Sequence, residues 1–193
     1  AEQVDGIALG IDNFAKNAGF IIGDQTGIGK GRQVAGILRW ALRNGRVPIF
    51  VTEKPNLYAD MFRDLTDIGV EDMLGRELKI FMTNNGETVP LDEAGKRTLK
   101  SPQAGPHQQA MNRKIESGKL DGYDMVFTTY AQMQTVKGEE TARQKFLRAM
   151  AANNGVLALD EAHNAGGGGA EREQKGKPVL TRAKFVREII GSA

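Results

Sequence analysis

The stretch GFIIGDQTGIGKGRQVAGILRWALRN, residues 19–44, reads in three parts whose order decides the fold. Residues 19–24 are a short apolar run closing on Gly23-Asp24, the pattern of a buried strand. A glycine-rich turn follows. In residues 32–44, Val34, Ile37, Leu38, Ala41 and Leu42 fall at i, i+3, i+4, i+7 and i+8, one face of a helix, and Gly45 is a natural stop. N–H groups at the start of such a helix point at an anion, and the helix dipole favours negative charge there. Gly27 and Gly29 let the backbone approach phosphate oxygens without a Cβ in the way, and Lys30 supplies the point charge expected at β- and γ-phosphates. Asp24, Gln25, Thr26, Gly27, Ile28, Gly29, Lys30, Gly31 and Arg32 are therefore the candidate phosphate cradle. The match to G-x-x-x-x-G-K-[ST] is incomplete: Asp24 stands at the first glycine, and Gly31 stands where a hydroxyl normally ligates Mg²⁺. A glycine-rich turn that only starts a helix would use the same residue types.

Working outward, strands are predicted at 47–53, 79–84, 124–130 and 156–160, and helices at 56–68, 107–117, 141–153 and 179–190. Residues 85–106 lose all periodicity, and 164–178 contains four consecutive glycines, so both are expected to be flexible loops. Strands that are apolar throughout and alternate with amphipathic helices imply an α/β fold with a mainly parallel central sheet covered on both faces. Ligands of such sheets bind beyond the carboxyl ends of the strands. Asp160-Glu161 closes the apolar run VLALD and shares that edge with Gly23-Asp24. An aspartate there can hold Mg²⁺ through its water shell, and Glu161 is placed to orient or deprotonate an attacking water. A helix N-cap with a first-turn acid would read alike. His107 lies in the featureless region and is assigned no role.

Composition narrows the classes. With 26 Lys+Arg against 24 Asp+Glu the net charge is +2, which excludes a grossly basic protein but not a nucleic-acid partner. No cysteine is present, so disulfides, thiolate-held zinc and a thiol nucleophile are excluded. No apolar run approaches the roughly 18 residues of a membrane span. The acidic N-terminus is unlike a signal peptide. A cytoplasmic location is expected, nucleoid-associated in a bacterium or phage and nuclear in a eukaryote, and no membrane partner.

The pattern D-x-x-G-x-G-K followed by D-E-x-H resembles motifs I and II of superfamily 2 helicases and translocases. GFIIGDQTGIGKGRQVAGIL is similar, almost throughout, to the phosphate loop of the Strawberry notch family, including a glycine after the lysine. Ala162 departs from animal members, which have cysteine there. The resemblance implies a three-layer RecA-like P-loop NTPase fold, with ATP and Mg²⁺ as cofactors, Lys30, Glu161 and His163 as catalytic residues and Asp160 as the metal residue. It also implies that Gln3 reads the adenine edge. Thr52 and Lys54, with Thr128 and Thr129, would meet a nucleic-acid backbone, DNA being the expected form. By the same resemblance, residues 1–193 are most of a first RecA-like lobe, with motif III, a second lobe and its arginine finger expected to follow. Alone, the chain is expected to bind ATP but hydrolyse it very slowly, since an arginine finger contributes about 10³–10⁵ in rate. A P-loop ATPase acting on proteins and an inactive P-loop interaction module are the alternatives.

Overall fold

The computed structural model describes residues 2–16, 18–23, 29–92, 94–136, 139–166, 173–174, 177–178 and 181–193. In chain order its elements begin with α1 (Glu2–Ala15), α2 (Lys30–Arg43), β1 (Val47–Thr52), α3 (Tyr58–Asp67), α4 (Val70–Leu74) and β2 (Ile80–Met82). They continue with β3 (Thr88–Pro90), β4 (Thr98–Lys100), α5 (Ala104–Ser117), β5 (Met125–Thr129), α6 (Ala142–Ala152) and β6 (Gly155–Leu159). The last are β7 (Glu173–Gln174), β8 (Lys177–Pro178) and α7 (Arg182–Ile190).

Four strands form a wholly parallel sheet in the order β2-β5-β1-β6. All six residues of β1 are buried, as a strand covered on both faces requires. Its side chains alternate between two cores. Val47, Ile49 and Val51 meet Met111 of α5, Phe146 and Met150 of α6 and Phe185 of α7. Phe50 turns the other way, to Leu38 of α2 and to Tyr58, Phe62 and Leu65 of α3. Phe50 and Phe127, paired across β1 and β5, meet edge-on at 5.2 Å. The result is three layers, helices on both faces of a parallel sheet. It is an α/β architecture with a wholly parallel central sheet. A capping box starts α6: the Thr141 hydroxyl accepts from the Gln144 amide, and Gln144 Oε1 accepts from the Thr141 amide at 2.8 Å.

The structure departs from the sequence expectations in three places. The strand expected at 19–24 does not form: residues 18–23 have no regular structure, and Ile21 is 89% exposed. A strand needs a ladder partner, and among the described residues β6 pairs only with β1. Phe20 instead reaches Gly10 of α1, and Ile22 joins a small cluster with Ile7, Phe14, Ile37, Trp40 and Ala41. That cluster depends on α1, a helix of fourteen residues that the sequence reading did not assign. Finally, 85–106 is not aperiodic chain. It holds the antiparallel β3–β4 hairpin and the first residues of α5. Asp92 accepts the Lys96 and Arg97 amides at 2.8 Å each. Arg97 then pairs with Glu71 at 2.7 Å and lies 4.8 Å over the Phe62 ring, pinning the hairpin to α3 and α4. Of the second expected loop, residues 173–174 and 177–178 form the short β7–β8 pair.

Candidate nucleotide site at the carboxyl edge of the sheet

The short connection Asn44–Arg46 turns α2 straight back into β1. Helix and strand therefore run in opposite senses, with Ala35 and Leu38 packed against the Phe50 side of the sheet. Fourteen helical residues and six extended ones each span roughly 20 Å. The first residue of α2, Lys30, thus stands at the same edge as the last residue of β1, Thr52. Asp160, directly after β6, is at that edge too. Its carboxylate Oδ2 accepts a hydrogen bond from the Thr52 hydroxyl at 3.1 Å.

Asp160 is held from three sides. Beyond the Thr52 contact, its backbone N–H donates to Val51 carbonyl oxygen at 2.8 Å, extending the β1–β6 ladder by one rung. Its own carbonyl accepts from the Tyr130 phenol at 2.7 Å. Tyr130 heads a 3₁₀ turn (Tyr130–Met133) after β5. Burial raises its phenol pKa, and the nearby charges of Asp160 and Glu161 raise it further, against a smaller opposing effect of Arg182. It stays a neutral donor. Sequence reading missed Tyr130 and gave Thr52 another task. The available signal was that both follow or close strands flanking the same edge.

Glu161 adopts φ 49°, the left-handed region, which a side-chain-bearing residue enters at a cost of about 1–2 kcal/mol. The turn swings its carboxylate outward, where Oε2 meets His163 Nδ1 at 3.2 Å with both side chains more than half exposed. Asp160 and Glu161 therefore have distinct settings: one carboxylate fixed at the strand tip, the next standing in solvent beside an imidazole.

On the α2 side, Asp24, Gln25, Thr26, Gly27 and Ile28 lie outside the described residues. Gly29 is the N-cap of α2 at φ 77° and has no side chain to cap the first-turn N–H groups, which leaves them for another acceptor. A Cβ at Gly29 would fall on the Gln3 amide nitrogen, so α1 brings Gln3 to the base of the cradle. A Cβ at Gly31 would likewise fall on Asp64 Oδ2 of α3. Arg32 is turned toward α3, pairing with Asp67 at 3.1 Å. Burial raises the Asp64 pKa, opposed by Arg63 and Arg32 and assisted by Asp67 and Asp60. The donors at this edge are hard oxygens and an ammonium beside helix-start amides that the N-cap residue does not cap with a side chain. They fit a phosphate chain and a Mg²⁺ ion.

Farther along the edge the polar groups are occupied. Thr128 and Thr129 are buried, and Thr128 shares a 2.6 Å hydrogen bond with Thr83. Asn84 donates to Thr129 at 3.4 Å and accepts from Tyr58 at 2.7 Å. Arg143 of α6 closes this network, donating to the Thr83 carbonyl at 3.2 Å and to the Asn85 side chain. Three of the four hydroxyl or ammonium groups expected at a nucleic-acid backbone thus have interior partners here. Lys54 is exposed, its amine 3.7 Å from Glu53 in a pair that costs little to break.

His107 is buried at the start of α5, stacked 5.3 Å from Phe81, with Nε2 2.7 Å from the Met82 carbonyl. A carbonyl only accepts, so Nε2 carries the proton. Burial lowers the His107 pKa, and the Arg143 charge lowers it further, against the Met82 bond. With the folded value below the unfolded 6.5, its contribution to stability is complete above that pH and is lost as pH falls below it. Thermal melts between pH 7.5 and 5 should show declining stability, and the His107→Gln variant a flatter profile. Parallel profiles for the two proteins would remove His107 as the cause.

The family model described as "P-loop containing NTP hydrolase pore-1" matches residues 9–189. The chain belongs to this family. Curated relatives include protein strawberry notch homolog 1 of Gallus gallus, 29% identical over 154 residues, and that of Homo sapiens, 29% identical over 155. Each match covers 77% of this chain, but the chain spans only about a tenth of the relatives' length. The expected resemblance of the chain to Strawberry notch proteins is thereby borne out. As a member of the NTP hydrolase pore-1 family, this chain is a P-loop NTPase domain. Among the described residues no helix is long and apolar enough to cross a membrane.

Proposed function

We propose that the chain is the ATP-binding lobe of a superfamily 2-type, nucleic-acid-dependent ATPase that moves along or remodels DNA. The observation that carries the proposal is Asp160, tied by Thr52 to the edge where Lys30 opens α2. ATP would lie across that edge with Lys30 and the first amides of α2 on its phosphates, and Gln3 near the loop toward the base. Asp160 would hold Mg²⁺, with the oxygen of Asp64 beside the same helix start. The bound ion supplies charge neutralisation on the phosphate oxygens. Glu161 would orient and deprotonate the attacking water, with His163 beside it carrying the response to a neighbouring lobe. Thr52 and Tyr130 keep Asp160 in place while this happens. Lys54 is the side chain best presented to a nucleic-acid phosphate.

Fluorescence anisotropy of the full-length protein with labelled single- and double-stranded DNA, with ATP hydrolysis followed alongside, tests this reading. Expected are binding that weakens steeply with salt and hydrolysis stimulated by DNA. The interior partners of Thr52, Thr128 and Thr129 favour a second reading, a P-loop ATPase working on a protein. Tight ATP binding with no DNA binding at low salt would select it.

A further inference from the structure

Position 31 is where P-loops carry the hydroxyl that ligates Mg²⁺, and here it is glycine. The volume that a side chain at 31 would fill is not empty. An ideal Cβ built on Gly31 runs into Asp64 Oδ2, with Asp64 Cγ 3.3 Å away. A carboxylate oxygen from α3 therefore stands where a serine side chain at 31 would lie. We propose that Asp64 supplies, from α3, the oxygen ligand that the residue after the P-loop lysine normally gives to the nucleotide-bound Mg²⁺. This rests on the nucleotide-site reading above and deepens it by naming a metal residue outside both motifs.

The helix that carries this carboxylate is held in place. Met61, Phe62 and Leu65 root α3 in the core below it. One turn on, Asp67 pairs with Arg32, so the second and third residues of α2 are both met by acids of α3. Charge and hardness suit the role, since Mg²⁺ prefers oxygen ligands and is commonly bound by one or two carboxylates plus substrate phosphates. Asp64 and Asp160 would be those two. The same placement explains the glycine: a serine at 31 and the carboxylate of Asp64 compete for one volume, and the sequence keeps the carboxylate.

The competing account is structural, with Asp64 merely offsetting the dipole at the start of α2. The two accounts differ in their dependence on the metal. Binding of a fluorescent ATP analogue would be measured in EDTA and in Mg²⁺, with Mn²⁺ binding followed by electron paramagnetic resonance. The proteins are the parent chain, Asp64→Asn, and Asp64→Ala combined with Gly31→Ser. In EDTA, Asp64→Asn should bind the analogue at least as tightly as the parent, since a negative charge near the phosphates is gone. It should lose at least ten-fold of the tightening that Mg²⁺ gives the parent, along with the nucleotide-dependent Mn²⁺ signal. The double variant returns a hydroxyl to the vacated volume and should regain most of both. Full Mg²⁺ tightening in Asp64→Asn, or no recovery in a folded double variant, overturns the proposal while leaving the nucleotide site standing. A parent chain that binds no analogue in either condition overturns the nucleotide reading and this proposal with it.

Discussion

Replacing Lys30 by alanine should weaken ATP binding by about 100-fold or more while leaving the fold in place. Lys30 is the first residue of α2 and stands at the edge on which Asp160 is fixed. A hydrogen bond to a charged group contributes roughly 1.5–3 kcal/mol, and a lysine spanning β- and γ-phosphates makes more than one. A loss of about 3 kcal/mol corresponds to roughly 100-fold in Kd. Alanine has high helix propensity and the side chain is not part of any apolar cluster, so circular dichroism and the melting temperature should hardly change. Calorimetric or fluorescence titration with an ATP analogue gives the answer. A Kd within about three-fold of the parent, on the scale where 1.4 kcal/mol is ten-fold, would remove Lys30 from the phosphates and the cradle with it.

Glu161→Gln should retain nucleotide affinity and lower the rate of hydrolysis by about 10²–10⁴, the usual contribution of a positioned general base. The substitution is a clean one because the amide has the same shape and meets the same left-handed backbone at φ 49°. It removes the charge and the carboxylate oxygen beside His163 Nδ1 and little else. Release of labelled phosphate from γ-labelled ATP, read against the parent's basal rate, is sensitive enough for a slow enzyme. Unchanged hydrolysis would move the base elsewhere, and the outward turn of Glu161 would then be only a loop geometry.

The contrast between Thr52 and Glu161 shows what the two levels of description each contribute. Both sit at strand ends, and the sequence alone places both at the carboxyl edge. Their assignments diverge once side chains are seen: Thr52 turns inward to Asp160, while Glu161 turns out beside His163. Thr128 and Thr129 make the same point, because a hydroxyl at a strand end is polar whether it serves a ligand or a buried neighbour such as Thr83. The β3–β4 hairpin was hidden for a different reason. Strands of three residues are too short to show a two-residue period, and what holds this pair is an ion pair to α4 and a ring of α3.

Legible in the residue order alone were the layered α/β class, four of the core strands to within a residue or two, most of the helices, and the two short motifs around Lys30 and Asp160. Those are local properties, written in the spacing of apolar residues and in short runs of special ones. It took the folded chain to show that residues 18–23 stay off the sheet, that α1 packs its Ile7 into the space left by Gly36, and that Asp64 fills the place of a side chain at Gly31. Each of these depends on a partner distant in the chain, and no periodicity records which distant surface a segment will meet.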